Sequence, residues 1–494
     1  MLTDRIPMVI IIFSLVIAFL LPIFARWKRS LCGPIVAVVT GFSFFFSLFL
    51  LYDVHRGGSY SIYLGGFEPP WGIELHINLL AALMIALITG FCFLIAIYSL
   101  NSLEREIPDQ KAGWYYTAYL LLMTGMTGMV VTNDIFNLYV FLEIVGLASC
   151  ALIIAKGTKE ATEASLKYLL LATIGSGFIV FAIGFLYTIT GNLNIPFIAI
   201  ELEGTRDSFP FVIWTTMGFL LVGFSLKAAL FPLHIWLPDA HSSAPFPSSA
   251  LLSGLVVKIY IMAFFKILYG VFGPGILAEM NIAGLITGMS AMAIVAGSIF
   301  AFTQKDLKRR LAYSTVSQVG YIFLGLSLGT PWGIKAALMH VVVHAFMKVC
   351  LFMAAGNILF QTGKRNVTLF SGLGRIMPVT MASFTVAALS MVGIPIFAGF
   401  ITKYALAMGS IEAGSRGLVA LIVLSGLLNA MYYLPIIWQA YFTGNQKEKV
   451  VMDRIPLPLL APVVLLACGI LYLGLFPAPI LSLISGAVEP VFFP

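Results

Sequence analysis

Charge is scarce in this chain: of 494 residues only 10% are Asp, Glu, Lys or Arg, against about 25% in soluble domains. That shortage excludes the several water-soluble domains that the length alone suggests at about 150 residues each. Cysteine is scarce too, and Cys32, Cys92, Cys150, Cys350 and Cys468 stand singly, without C-x-x-C or C-x-x-H spacing. An iron–sulfur cluster or zinc site built from this chain is excluded, so the expectation is no cofactor and no metal in this chain, any redox centre belonging to a partner. Walker, nucleophile and strand-linked GxGxxG motifs are also missing from any suitable context, which excludes a soluble-type enzyme. A cleavable-signal layout is lacking at the N-terminus, where the apolar run Met8 to Phe24 is followed by Arg26, Lys28 and Arg29 and reads as an anchor that stays.

What is plentiful is apolar surface: 60% of residues are hydrophobic, 40 are Phe and 20 are Met, and mean hydropathy is +1.01. Most of such a chain must be solvated by lipid. Apolar stretches of roughly 20 residues occur near 6–25, 31–52, 76–100, 113–132, 135–155, 164–189, 210–240, 246–270, 277–302, 311–329, 332–360, 377–411, 417–443 and 457–476, with 210–240 and 377–411 interrupted. The expectation is an all-α polytopic membrane protein of about fourteen transmembrane helices, with the tail from Pro477 to Pro494 too short to span again.

The formal charge of +7 is not a nucleic-acid footprint once the 28 basic residues are sorted. Loops after odd-numbered spans hold seventeen: Arg26, Lys28, Arg29, Arg105, Lys111, Lys156, Lys159, Lys305, Lys308, Arg309, Arg310, Lys364, Arg365, Arg375, Lys447, Lys449 and Arg454. The other face holds Arg5, Arg56, Arg206 and Arg416. Cytoplasmic loops are enriched in Lys and Arg, so both termini are expected on the extracytoplasmic side of a prokaryotic plasma membrane. Seven remain within spans, Lys167, Lys227, Lys258, Lys266, Lys335, Lys348 and Lys403, and all are Lys, the basic residue that can release its proton. For Lys167, Lys266 and Lys335, near span ends, snorkelling to the interface is the plainer reading.

Glu143 is the one acid deep within an uninterrupted apolar run. A charge there costs at least about 2.5–3.5 kcal/mol, so it must face the bundle interior and pair or stay protonated; a structural helix–helix ion pair competes with a functional role. In the seventh span Pro232 breaks the helix just after Lys227, and His234, Asp239 and His241 follow. A broken helix at membrane depth is tolerated where it is packed in protein or lines a hydrated cavity, which puts Lys227 beside freed carbonyls and water. The twelfth span repeats the pattern with Gly393, Pro395, Gly399 and Lys403. Spans 4–8 and 9–13 are then two inverted five-helix repeats, each with a discontinuous helix. The expected division is 1–112 for the N-terminal helices, 113–271 and 272–444 for the repeats, and 445–494 for the last helix and tail. His340, His344 and Lys348 share one helical face in the eleventh span, and Lys258 lies mid-span in the eighth. Two such His could ligate metal or be satisfied core residues; a proton relay is the preferred reading because imidazole titrates near neutrality.

Residues Phe231-Pro-Leu-His-Ile-Trp-Leu-Pro-Asp-Ala-His241, the following Ser243-Ala-Pro245, Lys258, His340-Val-Val-Val-His344-Ala-Phe-Met-Lys348 and Thr162-Glu163-Ala-Ser-Leu-Lys167-Tyr168 carry a family likeness. Over roughly residues 75–440 the chain resembles the antiporter-like membrane subunits of respiratory complex I, the D-type subunit of Mrp cation/proton antiporters and the equivalent subunit of archaeal membrane-bound hydrogenase-type complexes. The resemblance implies that Glu143 is the essential acid, Lys227 its amine partner, Lys258 the bridging Lys, His340 and His344 a relay, and Lys403 the terminal residue, with His234, Asp239, Lys348 and Lys167 secondary. Complex I subunits divide at the last position, some using Glu; Lys403, with no long C-terminal lateral helix, favours an Mrp-like or hydrogenase-like parent. The implied function is proton translocation, with Na⁺/H⁺ antiport as a variant, in a multisubunit complex whose other membrane subunits are its partners. A stand-alone Na⁺/H⁺ antiporter would show cation-driven proton flux from the isolated chain in proteoliposomes. An organic-solute transporter would place Arg or aromatic contacts at half-helix ends, and no intramembrane Arg is present.

Overall fold

The computed structural model describes residues 5–443 and 453–492; Lys447 and Lys449, two of the expected loop cations, lie outside the described residues. The chain begins with α1 (Ile6–Trp27) and α2 (Cys32–Gly57), packed on each other and on α4. A short antiparallel hairpin follows, β1 (Tyr60–Tyr63) and β2 (Glu74–Ile77), with Ser61 opposite His76. This hairpin corrects the all-α expectation. His76, expected in the third span, is a strand residue because Asn78 caps the helix that starts after it, accepting from the Ala81 amide at 2.8 Å. Next come α3 (Leu79–Ser102), α4 (Ala112–Val131), α5 (Ile135–Ile154), α6 (Lys159–Thr190), the short α7 (Ile195–Thr205), α8 (Pro210–Ala228) and α9 (Trp236–Ser243). The run α10 (Phe246–Leu251), α11 (Val257–Ile267) and α12 (Gly273–Glu279) is joined by π turns at Leu252–Val256 and Leu268–Phe272. The chain continues through α13 (Ile282–Thr303), α14 (Leu307–Ser327), α15 (Pro331–Thr362), α16 (Leu373–Ile376), α17 (Pro378–Val392), α18 (Ala398–Glu412), α19 (Arg416–Phe442), α20 (Leu457–Leu475) and α21 (Ala478–Phe492), the last packed on α3 and α15.

The fold is that of a predominantly helical polytopic membrane protein, and eleven helices among the described residues are long and apolar enough to cross a bilayer. They are not equally enclosed. In α15 and the run from Phe246 to Leu277 the apolar stretch is almost wholly buried in protein, whereas α1 and α19 turn most of theirs outward. The enclosed helices can therefore carry polar side chains that lipid would reject.

One local device occurs twice. Asp134 caps α5 and bridges to Asn194, and Asp306 caps α14 and bridges to Asn366. Thr158 and Thr330 cap α6 and α15 through their hydroxyls, and left-handed Gly191 and Gly363 end those two helices. The spacing is the same along both stretches, yet the end of α5 and the start of α14 share one face, where Lys156 and Arg309 line a common cavity.

The two interrupted spans break where proline and glycine stand. α8 stops at Ala228 because Ala229 turns left-handed (φ 54°), and the Leu230 amide returns to the Ser225 carbonyl at 2.9 Å. Trp236 Nε1 donates to the Leu226 carbonyl at 2.8 Å and is almost fully buried. The expected free carbonyls beside Lys227 are therefore largely capped by the turn and the indole, a correction that follows from the chain folding back on itself. Trp236→Phe leaves a buried carbonyl short of its side-chain donor, and the expected loss is about 1–3 kcal/mol of stability, read as a lower unfolding midpoint in SDS titration of the purified protein.

Candidate functional site

Lys258, His340, His344 and Lys348 lie on the enclosed helices, while Glu143, Lys227 and Lys403 stand on α5, α8 and α18. At one end, Glu143 on α5 places Oε1 3.4 Å from Lys227 Nζ on α8 and accepts a short hydrogen bond from the Ser176 hydroxyl on α6. The lysine is buried, while the carboxylate keeps about a third of its surface uncovered by this chain (32%). Gly146, one turn along α5, makes room: a Cβ there would lie 3.3 Å from Lys227 Nζ. The ammonium also sits 5.7 Å above the Tyr260 ring of α11, whose negative face favours a cation.

Lys258, on the same helix as Tyr260, is fully buried and donates a short hydrogen bond to the Ser253 carbonyl. Ser253 belongs to the π turn Leu252–Val256, whose wider register frees a carbonyl that an intact α-helix would use. Lys258 also lies within electrostatic reach of His344 and Lys348 on α15.

On α15, His340 and His344 stack at 5.5 Å between centroids with planes 9° apart. Neither His344 nitrogen has a protein hydrogen-bond partner, so no fixed acceptor holds its proton. His340 is held on both sides, Nδ1 at 2.9 Å from Thr402 Oγ1 and Nε2 at 3.0 Å from Gln318 Oε1. The Thr402 hydroxyl also lies 3.0 Å from the Gly399 carbonyl, and Gln318 Nε2 has no protein partner. Which atom donates in each contact follows the tautomer of the ring and the rotation of the hydroxyl and amide. Lys348, one turn on, donates to the Leu311 carbonyl at 2.8 Å and to Ser314 Oγ at 2.5 Å on α14.

The far end is Lys403 on α18, next to Thr402. Its amine reaches the Met391 and Val392 carbonyls at 3.1 and 2.8 Å, at the end of α17, where the helix dipole favours a cation. Gly393 follows with φ 90°, and a Cβ there would meet the Lys403 chain at 2.8 Å, so the break requires glycine twice over. Lys403 also lies 5.3 Å above the Tyr321 ring, which His340 contacts from 5.5 Å.

The secondary residues divide. Asp239 and Lys167 leave the line: Asp239 pairs with Lys167 at 2.5 Å and Arg309 at 3.0 Å in a cavity of about 740 Å³ on the basic face. His234 lies between the Phe231 and Phe300 rings at 5.1 and 6.2 Å, without a partner on Nδ1. Lys308, expected in a loop, is instead buried and donates to the Ala244 carbonyl at 2.5 Å, because the start of α14 packs under α9. Lys266 does not snorkel; it turns inward to the Val130 and Thr132 carbonyls at 3.0 and 2.5 Å. Sequence reasoning missed Ser176, Gln318, Tyr260 and Tyr321. Only the polar run Ser314-Thr-Val-Ser-Gln318 inside an apolar span signalled any of them.

Residues 132–429 match the family model described as NADH:quinone oxidoreductase/Mrp antiporter, TM. The chain is 38% identical over 496 residues to the N-type subunit of the NADH-quinone oxidoreductase of Desulforudis audaxviator, with 97% of each chain covered. It is 31% identical over 467 residues to the D-type subunit of the Na⁺/H⁺ antiporter of Alkalihalophilus pseudofirmus, covering 92% of this chain and 89% of the relative. A chain of the membrane-bound sulfane sulfur reductase, an archaeal respiratory membrane complex, superposes with a TM-score of 0.91 at 34% identity over 99% of this chain and 98% of that one. The Mrp complex from Dietzia sp. contains a chain with the same fold, TM-score 0.90 at 24% identity, covering 100% and 98%.

If the Lys258 amine were a structural tie, its removal would loosen the fold. Lys258→Met keeps the volume and removes a desolvated cation, so stability is expected to hold or to rise by up to about 4 kcal/mol in SDS-titrated unfolding; a clear fall would show a tie the fold needs.

Proposed function

Because the chain belongs to the NADH:quinone oxidoreductase/Mrp antiporter transmembrane family, we propose that it is a proton-translocating membrane subunit of a multisubunit complex. In this reading Glu143, Lys227, Lys258, His344, His340 and Lys403 carry protons along the membrane midplane, with Lys348 and His234 beside the path and the Asp239–Lys167 pair at its basic-face mouth. The observation that carries it is the Glu143–Lys227 contact at the end of a helix broken inside the membrane. A pair this close is worth about 4–5 kcal/mol at an effective dielectric of 20, and less to the extent that the uncovered side of Glu143 meets a polar medium. Strengthening the contact holds the proton on Lys227, and loosening it sends the proton toward Lys258. The unpartnered His344 ring and the His340 ring stacked on it suit groups that receive a proton and pass it on.

The same proposal takes the interrupted pairs α8/α9 and α17/α18 as one crossing each and includes α4 and α14, which makes fourteen. The twofold recurrence of the Asp134–Asn194 and Asp306–Asn366 bridges supports inverted repeats at 113–271 and 272–444, between N-terminal helices at 1–112 and a last helix and tail at 445–494. The face carrying Lys156, Arg309 and Arg365 is the cytoplasmic one, and both termini lie outside a prokaryotic plasma membrane. Partners are other membrane subunits, as for the relatives, whose solved chains are members of larger complexes.

Lys227→Arg preserves the charge and the reach to Glu143 but cannot release a proton, and Glu143→Gln removes the switch. Each is expected to lower proton translocation at least about tenfold in vesicles carrying the assembled complex, with unchanged subunit content. Full translocation by either would end this reading.

A further inference from the structure

Lys266 takes no part in the line just described, yet it is a second amine on α11, two turns from Lys258. Lys258, Met262 and Lys266 succeed one another at i, i+4 spacing, rising about 6 Å per step on one side of the helix. Lys266 also faces a cavity of about 930 Å³ at the end of the bundle opposite Lys156 and Arg309. The β1–β2 hairpin forms one wall with Ser61, Glu74 and His76, and residues of α2, α3, α4, α7, α11 and α21 complete the lining. Ile259 and Met262 line its inner end, so the cavity stops one turn from Lys258, over a floor that includes Met84, Met129 and Met262. Methionine is unbranched and changes rotamer readily, which makes such a floor a movable barrier to water.

The hairpin wall places a carboxylate and an imidazole beside the cavity. Glu74 receives Ser61 Oγ at 2.6 Å and the Asn133 and Asn194 amides at 2.8 Å each. Burial pushes its carboxyl up, but those hydrogen bonds and neighbouring His76 outweigh burial and hold it below the ordinary carboxylate range. Burial in turn lowers His76, against the pull of Glu74 and with the help of Lys266. Near neutral pH the wall thus presents a carboxylate and a neutral imidazole, faced by the single cation Lys266 on the carbonyl end of α4.

We propose that this cavity is an outward proton port of the first five-helix unit, joining Lys258 to the outer face through Lys266. When the methionine floor admits water, the Lys258 ammonium gives its proton through a water chain to the Lys266 amine. Lys258 is left neutral and is recharged from Lys227; Lys266 releases the proton to water in the cavity, past the Glu74 carboxylate, and so to the outer face. The port rests on the proton-relay reading above, and its failure is separable from failure of that reading.

The test uses membrane vesicles carrying the complete complex, with a pH indicator on the side of the Arg56 face. Lys266→Arg keeps the charge and a donor for both carbonyls but cannot release a proton, and Met262→Trp fills the inner end without altering a titratable group. Both are expected to cut proton release at least about tenfold with normal assembly. Met262→Cys is expected to react with a membrane-impermeant thiol reagent from the Arg56 face only. Full release by both filling and Arg variants overturns the port, as does Met262→Cys unreactive from that face. Loss in Lys266→Arg with full release in Met262→Trp overturns it as well, since the lysine then acts without the cavity. If Lys227→Arg is inactive in the same vesicles, these failures remove the port and leave the relay standing; if Lys227→Arg is active, the relay itself falls.

Discussion

An ammonium taken from water into the middle of a helical bundle loses several kcal/mol of solvation, and the polar interior of this protein is organised around recovering it. A regular α-helix offers no help, because its carbonyls are already engaged along its own axis. Each buried lysine accordingly stands where a helix is interrupted or where a neighbour supplies a spare acceptor. Lys227 follows α8 to its left-handed stop and meets a carboxylate. Lys258 uses a carbonyl released by a π turn, and Lys403 the last carbonyls of α17. Lys348 borrows from a neighbouring helix, taking Leu311 and Ser314. At Lys227, Lys258 and Lys403 the helix defect and the buried amine occur together for one reason.

These acceptors differ in what they do to the proton. A carboxylate binds a charged amine strongly and can be weakened by movement of one side chain, so the Glu143 end of the line is the adjustable one. Backbone carbonyls, which Lys258 and Lys403 meet, are fixed dipoles whose pull does not vary. The stacked His340 and His344 rings lie between, one held by two partners and the other by none. The gradation from adjustable to fixed is a property of the acceptors, and it follows from which backbone groups each break exposes.

A reader of the sequence alone can place nearly every span, because twenty apolar residues bounded by charge or proline leave few alternatives. The breaks were legible at Pro232 and at Gly393 with Pro395, and the depth of Glu143 and Lys227 followed from their place in apolar runs. Less was legible where the determinant is a local cap or a distant neighbour. Asn78 moves His76 out of its span and into a strand, and nothing in hydropathy distinguishes that start from one three residues earlier. Lys308 reads as a loop cation until α9 is seen packed over it. Ser176, Tyr260 and Gln318 look like ordinary members of membrane helices, since a hydroxyl or amide satisfied along its own helix costs little there.

By itself the sequence determined that the chain lives in lipid and that its helices break beside Lys227 and before Lys403. Those properties depend on residue type and spacing along the chain, which lipid and helix geometry read directly. Only the tertiary structure decided that Lys227 faces Glu143 while Lys258 faces a π-turn carbonyl, that Asp239 belongs to the basic-face cavity, and that Lys266 turns inward to a cavity beneath the hairpin. Pairings across a bundle are set by which helix faces meet, and that depends on the packing of the whole chain.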